Sequence, residues 1–209
     1  MSKRADLKKE ILRQVRQSAA LKSSLLRESA LLLDIAELIV KAFRTGHKVL
    51  LFGNGGSAAD AQHIAAELSG KYYIDRDPLP ALALTANTSA LTAIANDYTY
   101  EDIFARQVKG LVQKGDVVIG ISTSGNSPNV LKGIREAKHK GAITIAFTGQ
   151  GGKLCKAAGY SLAIPSKDTP RIQETHILAG HLICYLIERA LFGGPPSANT
   201  KSTVMEARV

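Results

Sequence analysis

Apolar residues along this chain follow two periods. Residues 2–20 set Leu7, Ile11, Val15 and Ala19 four apart among charged neighbours, the spacing of an amphipathic helix. Residues 24–44 carry a denser set: Leu25, Leu26, Leu31, Leu32, Leu33, Ile35, Leu38, Ile39, Val40 and Phe43. That is wider than the stripe one surface needs, so this second helix is expected to be covered on more than one side, with a partner subunit able to supply one cover. Gly46 is its expected end. Beyond it, short apolar runs alternate with helical patterns. The runs at 48–52, 82–85, 116–121, 142–147 and 160–165 read as strands. The segments 57–70, 89–95, 101–112, 128–140, 153–158 and 169–192 read as helices. Near-continuous apolar strands separated by helices predict an α/β fold, a three-layer, doubly wound, five-stranded parallel sheet preceded by two helices. Residues 1–192 are expected to form one domain. Residues 193–209 open Gly-Gly-Pro-Pro-Ser and are expected to be a mobile tail.

Two strand-to-helix turns carry candidate chemistry. The first, Gly53-Asn54-Gly55-Gly56-Ser57, leads into an alanine-rich helix, with Ser57 the expected N-cap and Asp60 three residues on, a short-armed capping box. Such a turn aims backbone N–H groups and a positive helix end at its guest, which suits anionic oxygens. It has neither the dinucleotide glycine spacing nor the lysine of a P-loop, so by itself it is equally a plain Gly-rich βα turn. The second turn, Ser122-Thr123-Ser124-Gly125-Asn126-Ser127, puts four hydroxyls ahead of Pro128 at a first helical position, more than a cap requires. Hydroxyls with free N–H groups satisfy phosphate oxygens without a buried lysine. Both turns follow strands, so both project from one sheet edge, where one can hold a phosphate and the other the polar body of the same small molecule.

Composition narrows the function classes. With 209 residues, 45% of them hydrophobic, the chain can bury a full core. The formal net charge of +9 suits anionic partners, and much of it sits at Lys3, Arg4, Lys8, Lys9, Arg13, Arg16 and Lys22. A solvated helix face is the plainer account of that run, and with only 5% aromatic residues there is no stacking platform for nucleic acid. Cys155 and Cys184 lack CxxC spacing, which fits free thiols in a reducing compartment. No secretory h-region and no membrane-length apolar run is visible, so the cytoplasm is expected and a membrane partner is not.

The last helix holds Gln173, His176 and His181. Gln173 and His181 share a broad face, His176 lies elsewhere, and a lone helical histidine is more often a core residue than a ligand. His63 and Glu67 lie four apart on the first helix after the sheet begins. If the two helices meet, these four side chains form a sulfur-free N/O set that suits a catalytic rather than a structural zinc, although glutamine is an uncommon ligand.

These stretches, with Ala95-Asn96-Asp97 and Arg171-Ile172-Gln173-Glu174, resemble the sugar isomerase (SIS) domain family and, within it, the phosphoheptose isomerases, over about residues 20–192. The resemblance implies a flavodoxin-like SIS fold and an aldose–ketose isomerase that converts sedoheptulose 7-phosphate to D-glycero-D-manno-heptose 7-phosphate through an enediol. That is a first step toward nucleotide-activated heptose, and hence lipopolysaccharide. It implies that Ser122, Thr123, Ser124 and Ser127 bind the phosphate, and that Asn54, Gly55, Gly56, Asn96, Asp97, Glu67 and Gln173 bind the rest of the substrate. It further implies Glu67 and His181 as acid–base pair and one Zn2+ per subunit on His63, Glu67, Gln173 and His181. A homotetramer with sites near subunit contacts also follows. Non-catalytic relatives that bind a replication initiator lack the glutamate and second histidine; a sugar-phosphate sensor is the other class left open.

Overall fold

In the computed structural model, which describes residues 3–193, the apolar runs form one parallel sheet. Its strands are β1 (Val49–Gly53), β2 (Ala81–Ala83), β3 (Val117–Ser122), β4 (Ile143–Thr148) and β5 (Tyr160–Ala163). They lie in the order β2-β1-β3-β4-β5. Every residue of β1 and β3 is buried, as central parallel strands require, whereas the edge strands β2 and β5 are only partly so. Register pairs Gly53 with Ile121 and Ser122 with Thr148, so the ends of β1, β3 and β4 are level.

Side chains alternate across the sheet. Val49, Leu51, Val117 and Ile119 face a layer made by α2 (Ser29–Arg44), α3 (Gly56–Ser69) and α8 (Thr169–Phe192). Leu50, Phe52 and Val118 face α4 (Thr88–Asp97), α5 (Ile103–Leu111), α6 (Pro128–His139) and α7 (Lys153–Ala157). Strand order reverses between β1 and β3, and the turns after those two strands are the two candidate phosphate turns. In open α/β sheets that crevice is where ligands bind.

The N-terminal helices differ from expectation in detail. α1 (Lys3–Lys22) is helical throughout but buries no residue, and Leu7, Ile11 and Val15 stand exposed. The expected second helix begins as a 3₁₀ turn, Ser23–Leu26, and becomes α-helical only at Ser29, because the N–H groups of Arg27 and Glu28 close i→i+3 bonds. α2 buries Leu32, Ile35, Ala36, Ile39 and Val40, yet leaves Leu33 exposed, so within one chain it is covered on one side. Asn96 and Asp97 belong to the last turn of α4 rather than following it. The expected tail beyond Gly193 lies outside the described residues.

Candidate functional site

Three helices begin at one cavity. α3 starts at Gly56, α6 at Pro128 and α8 at Thr169, and none of the three has a side-chain hydrogen bond at its N-cap. The cavity, about 280 Å³, is lined by Asn54, Gly55, Gly56 and Ser57 from the first turn and Ser122, Thr123 and Ser127 from the second. Thr169 and Gln173 line it from α8. Helix N-termini leave N–H groups unpaired and carry partial positive charge, so three of them converging make a seat for an anion.

The local sequence explains the geometry. Gly55 takes φ 54, a conformation that glycine adopts without penalty, and so turns the chain from β1 into α3. This places the N-cap at Gly55, not Ser57 as expected; Ser57 is buried in the first turn, where it lines the cavity. The capping box with Asp60 is therefore absent. Asp60 Oδ2 is buried without a partner, and burial pushes its carboxyl up to about 6. Ser127 does sit at the N-cap of α6, but its hydroxyl hydrogen-bonds Ser122 Oγ at 2.9 Å instead of capping the helix. Gly56 lets the Gln173 carboxamide lie against the start of α3; a methyl group at that position would collide with it.

Asn129 is a residue that the sequence reading missed. Almost fully buried, it exchanges two amide hydrogen bonds of 2.9 Å with Asn54, and Tyr100 donates to Asn54 Oδ1 at 3.2 Å. The pair ties the two turns together across the strand reversal. An asparagine directly after Ser-Pro at a helix start was the available signal.

The second constellation lies further along α3 and α8. His63 Nε2 is 3.0 Å from Glu67 Oε1 and 3.2 Å from His181 Nε2, and ligand atoms of all three lie within 4.8 Å of one another. The i,i+4 spacing sets His63 and Glu67 on one face of α3, and the packing of α8 on α3 brings His181 to it. One proton on His63 Nε2 cannot serve both contacts, because the atom has a single site to protonate or to donate. A cation seated among the three lone pairs satisfies them all, and two imidazoles with a carboxylate fit zinc. The His63 side chain is 49% exposed and that of Glu67 23%, so the cluster faces outward. Tyr72 borders it, its ring 5.9 Å from that of His181, and burial raises its phenol to about 12.

A family model for the SIS domain matches residues 14–149. The phosphoheptose isomerase of Sulfurimonas denitrificans is 51% identical over 90% of this chain and 98% of its own length. That of Aquifex aeolicus is 58% identical over 75% of this chain and 83% of its own. The chain belongs to the phosphoheptose isomerases of the SIS-domain family. Solved structures agree. Phosphoheptose isomerase GmhA from Neisseria gonorrhoeae superimposes with a TM-score of 0.81 at 41% identity, covering 87% of this chain and 98% of that one. The Francisella tularensis phosphoheptose isomerase gives 0.82 at 32% identity over 90% and 100%.

The residues expected from this family's pattern fall into three groups. Asn54, Gly55, Gly56, Ser122, Thr123, Ser127 and Gln173 meet at the cavity. His63, Glu67 and His181 meet at the outward cluster, and the Gln173 carboxamide lies against Gly56 at the start of α3. Ser124, Asn96 and Asp97 are exposed and do not line the cavity within one chain; Asn96 donates to Asp97 at 2.9 Å. His176, set apart from the site by its phase on α8, is fully buried, and Nε2 meets the Thr148 carbonyl at 3.0 Å.

Proposed function

We propose that the protein interconverts sedoheptulose 7-phosphate and D-glycero-D-manno-heptose 7-phosphate, with Glu67 and His181 moving the protons. The observation that carries this reading is the convergence of those two side chains on the same pair of helices whose first turns build the anion seat. From Gln173 to His181 the rise along α8 is about 12 Å, comparable to an extended seven-carbon chain with its phosphate.

The phosphate binds at the three helix starts, with Ser122, Thr123 and Ser127 donating to it and Ser124 joining them if its hydroxyl turns inward. Because the phosphate is remote from the reacting carbons, its binding energy goes into positioning them. Asn54, held by Asn129, orients the sugar body with Asn96 and Asp97. The carboxylate of Glu67 and the imidazole of His181 share the acid–base work. One takes the proton from the carbon beside the carbonyl and the other serves the oxygens, and the enediol then receives its proton at the neighbouring carbon. Positioned proton transfer of this kind contributes about 10²–10⁴-fold. His63, Glu67 and His181 would hold a zinc ion, joined by Gln173 if its carboxamide turns away from Gly56. When bound, that ion supplies Lewis acidity for the developing negative oxygen.

The working form we infer is a homotetramer. The exposed face of α1 at Leu7, Ile11 and Val15, and a cavity of about 870 Å³ beside α2 lined by Leu33, Val40 and Leu186, are apolar surfaces that another copy would cover. Among the described residues no helix is long and apolar enough to cross a membrane, and the proposed compartment is the cytoplasm. Purified protein assayed for metal content and for conversion of the seven-carbon ketose phosphate to its aldose tests the reading. Zinc near one per subunit together with turnover is expected. Binding of the sugar phosphate without turnover would replace the enzyme with a sensor or a binding module.

A further inference from the structure

Behind the Glu67–His181 cluster lies a buried ion pair that the proposed chemistry does not use. Arg76 Nε donates to Glu188 Oε1 at 3.0 Å, and their side chains are 2% and 1% exposed. Glu188 stands seven residues beyond His181, on the same face of α8. Its carboxylate also accepts from the backbone N–H of Tyr73 at 2.8 Å and of Tyr72 and Ile74 at 3.3 Å. Arg76 gives its remaining donors to carbonyls: Nη2 to Glu67 at 2.9 Å, and Nη1 to Leu68, Gly70 and Asp77 at 2.9–3.1 Å. The guanidinium thus closes the C-terminal end of α3, where carbonyls lack helical partners and a cation is favoured.

A buried pair of this kind is a poor source of net stability, since apolar replacements of similar volume often do as well. What it does specify is a single conformation of the segment after α3. The pair refers both halves of the cluster to one point on α8. It holds the peptide of Glu67, and it holds the peptides that carry Tyr72, whose ring lies beside His181 and 4.5 Å from that of Tyr73.

We propose that Arg76 and Glu188 are positioning residues for the acid–base pair, acting through the seat they give Tyr72 beside His181. This rests on the isomerase reading above.

The test uses Glu188→Gln and Tyr72→Ala, singly and together, in the full chain. Glu188→Gln is expected to lower kcat about tenfold to a hundredfold, as a small misplacement of reacting groups does, at temperatures where circular dichroism and oligomer size match wild type. KM should stay within about threefold, the mark of an effect confined to the chemical step. Tyr72→Ala should give a similar loss, Tyr72→Phe should not, and the double variant should be no worse than the more damaged single one. The ring-proton resonances of His181, assigned with His181→Gln, should move in both single variants. A kcat for Glu188→Gln within about twofold of wild type, an unmoved His181 resonance, or losses that multiply in the double variant would each overturn the proposal. If Glu188→Gln does not fold, Arg76→Lys, which keeps the charge but not the planar fork, takes its place with the same expected outcomes. Failure of the wild type to turn over the sugar phosphate would refute the isomerase reading alone, because the His181 resonance still decides the positioning claim.

Discussion

The anion seat and the His63–Glu67–His181 cluster share α3 and α8 but differ in construction. The seat is made of turns and helix starts, with Ser57, Ser122 and Asn129 buried and the two turns locked by the Asn54–Asn129 pair. The cluster is made of long side chains on an outward face, with His63 half exposed and a phenol ring as its neighbour. One end of the site is thus held by hydrogen bonds between side chains of the two turns, mostly out of solvent. The other is open and leans on supports further along the same helices. Binding and chemistry are then separable by mutation, and α8 offers three probes: Gln173 at the seat, His176 in the core and His181 at the cluster.

The largest effect is expected at the open end. His181→Gln should lower turnover by about 10²–10⁴-fold with substrate affinity nearly kept, as measured by steady-state kinetics beside calorimetric binding. A parallel loss of affinity would dissolve the distinction between the two regions.

His176, five residues away, should govern stability instead. Burial lowers its pKa from 6.5 to about 4. Between those values the unfolded chain binds a proton that the folded chain does not, so stability falls as pH drops from 6.5 toward 4 and the dependence levels off below. The full swing is about 3 kcal/mol. The Asp60 carboxyl, raised to about 6, works with the opposite sign over the lower part of that window. Urea unfolding of wild type and His176→Gln across this range isolates the histidine, because Asp60 is common to both. The difference between the two curves should vanish above pH 7 apart from a constant offset. A pH-independent difference throughout would show that His176 does not titrate on unfolding.

A smaller effect, about 1–3 kcal/mol, is expected at the anion seat. Gly56→Ala forces the Gln173 carboxamide off the start of α3, and overpacking of a close contact costs energy on that scale. KM should rise by about tenfold or more while kcat changes little. An unchanged KM would remove Gln173 and the α3 start from the binding surface.

Much of this was legible in the residues. Alternating strand and helix periods gave the parallel sheet, and the glycine and serine turns marked the edge that carries the cavity before any strand order was known. The i,i+4 pair at His63 and Glu67 was visible for the same reason, since helical phase is a local property. What local pattern could not supply was contact between distant elements; the meeting of His181 with His63 and Glu67 was implied only by the family resemblance. Asn129 reaches Asn54 across 75 residues, and Glu188 gathers the peptides of Tyr72, Tyr73 and Ile74 from more than a hundred residues away. The N-cap lies two positions before Ser57 because a glycine with positive φ starts the helix early, which leaves the Ser57 residue lining the cavity. Helical phase sets Gln173 and His181 on one broad face two turns apart, but phase does not say where the carboxamide rests, which here is against Gly56.

The separation of a binding end from a chemical end is tested most directly by Glu67→Gln, with the dissociation constant of the sugar phosphate and the turnover rate measured on the same preparation. The account predicts affinity within about threefold of wild type and turnover reduced by about a hundredfold or more. Turnover near the wild-type rate, or a loss of affinity as large as the loss of rate, would contradict it.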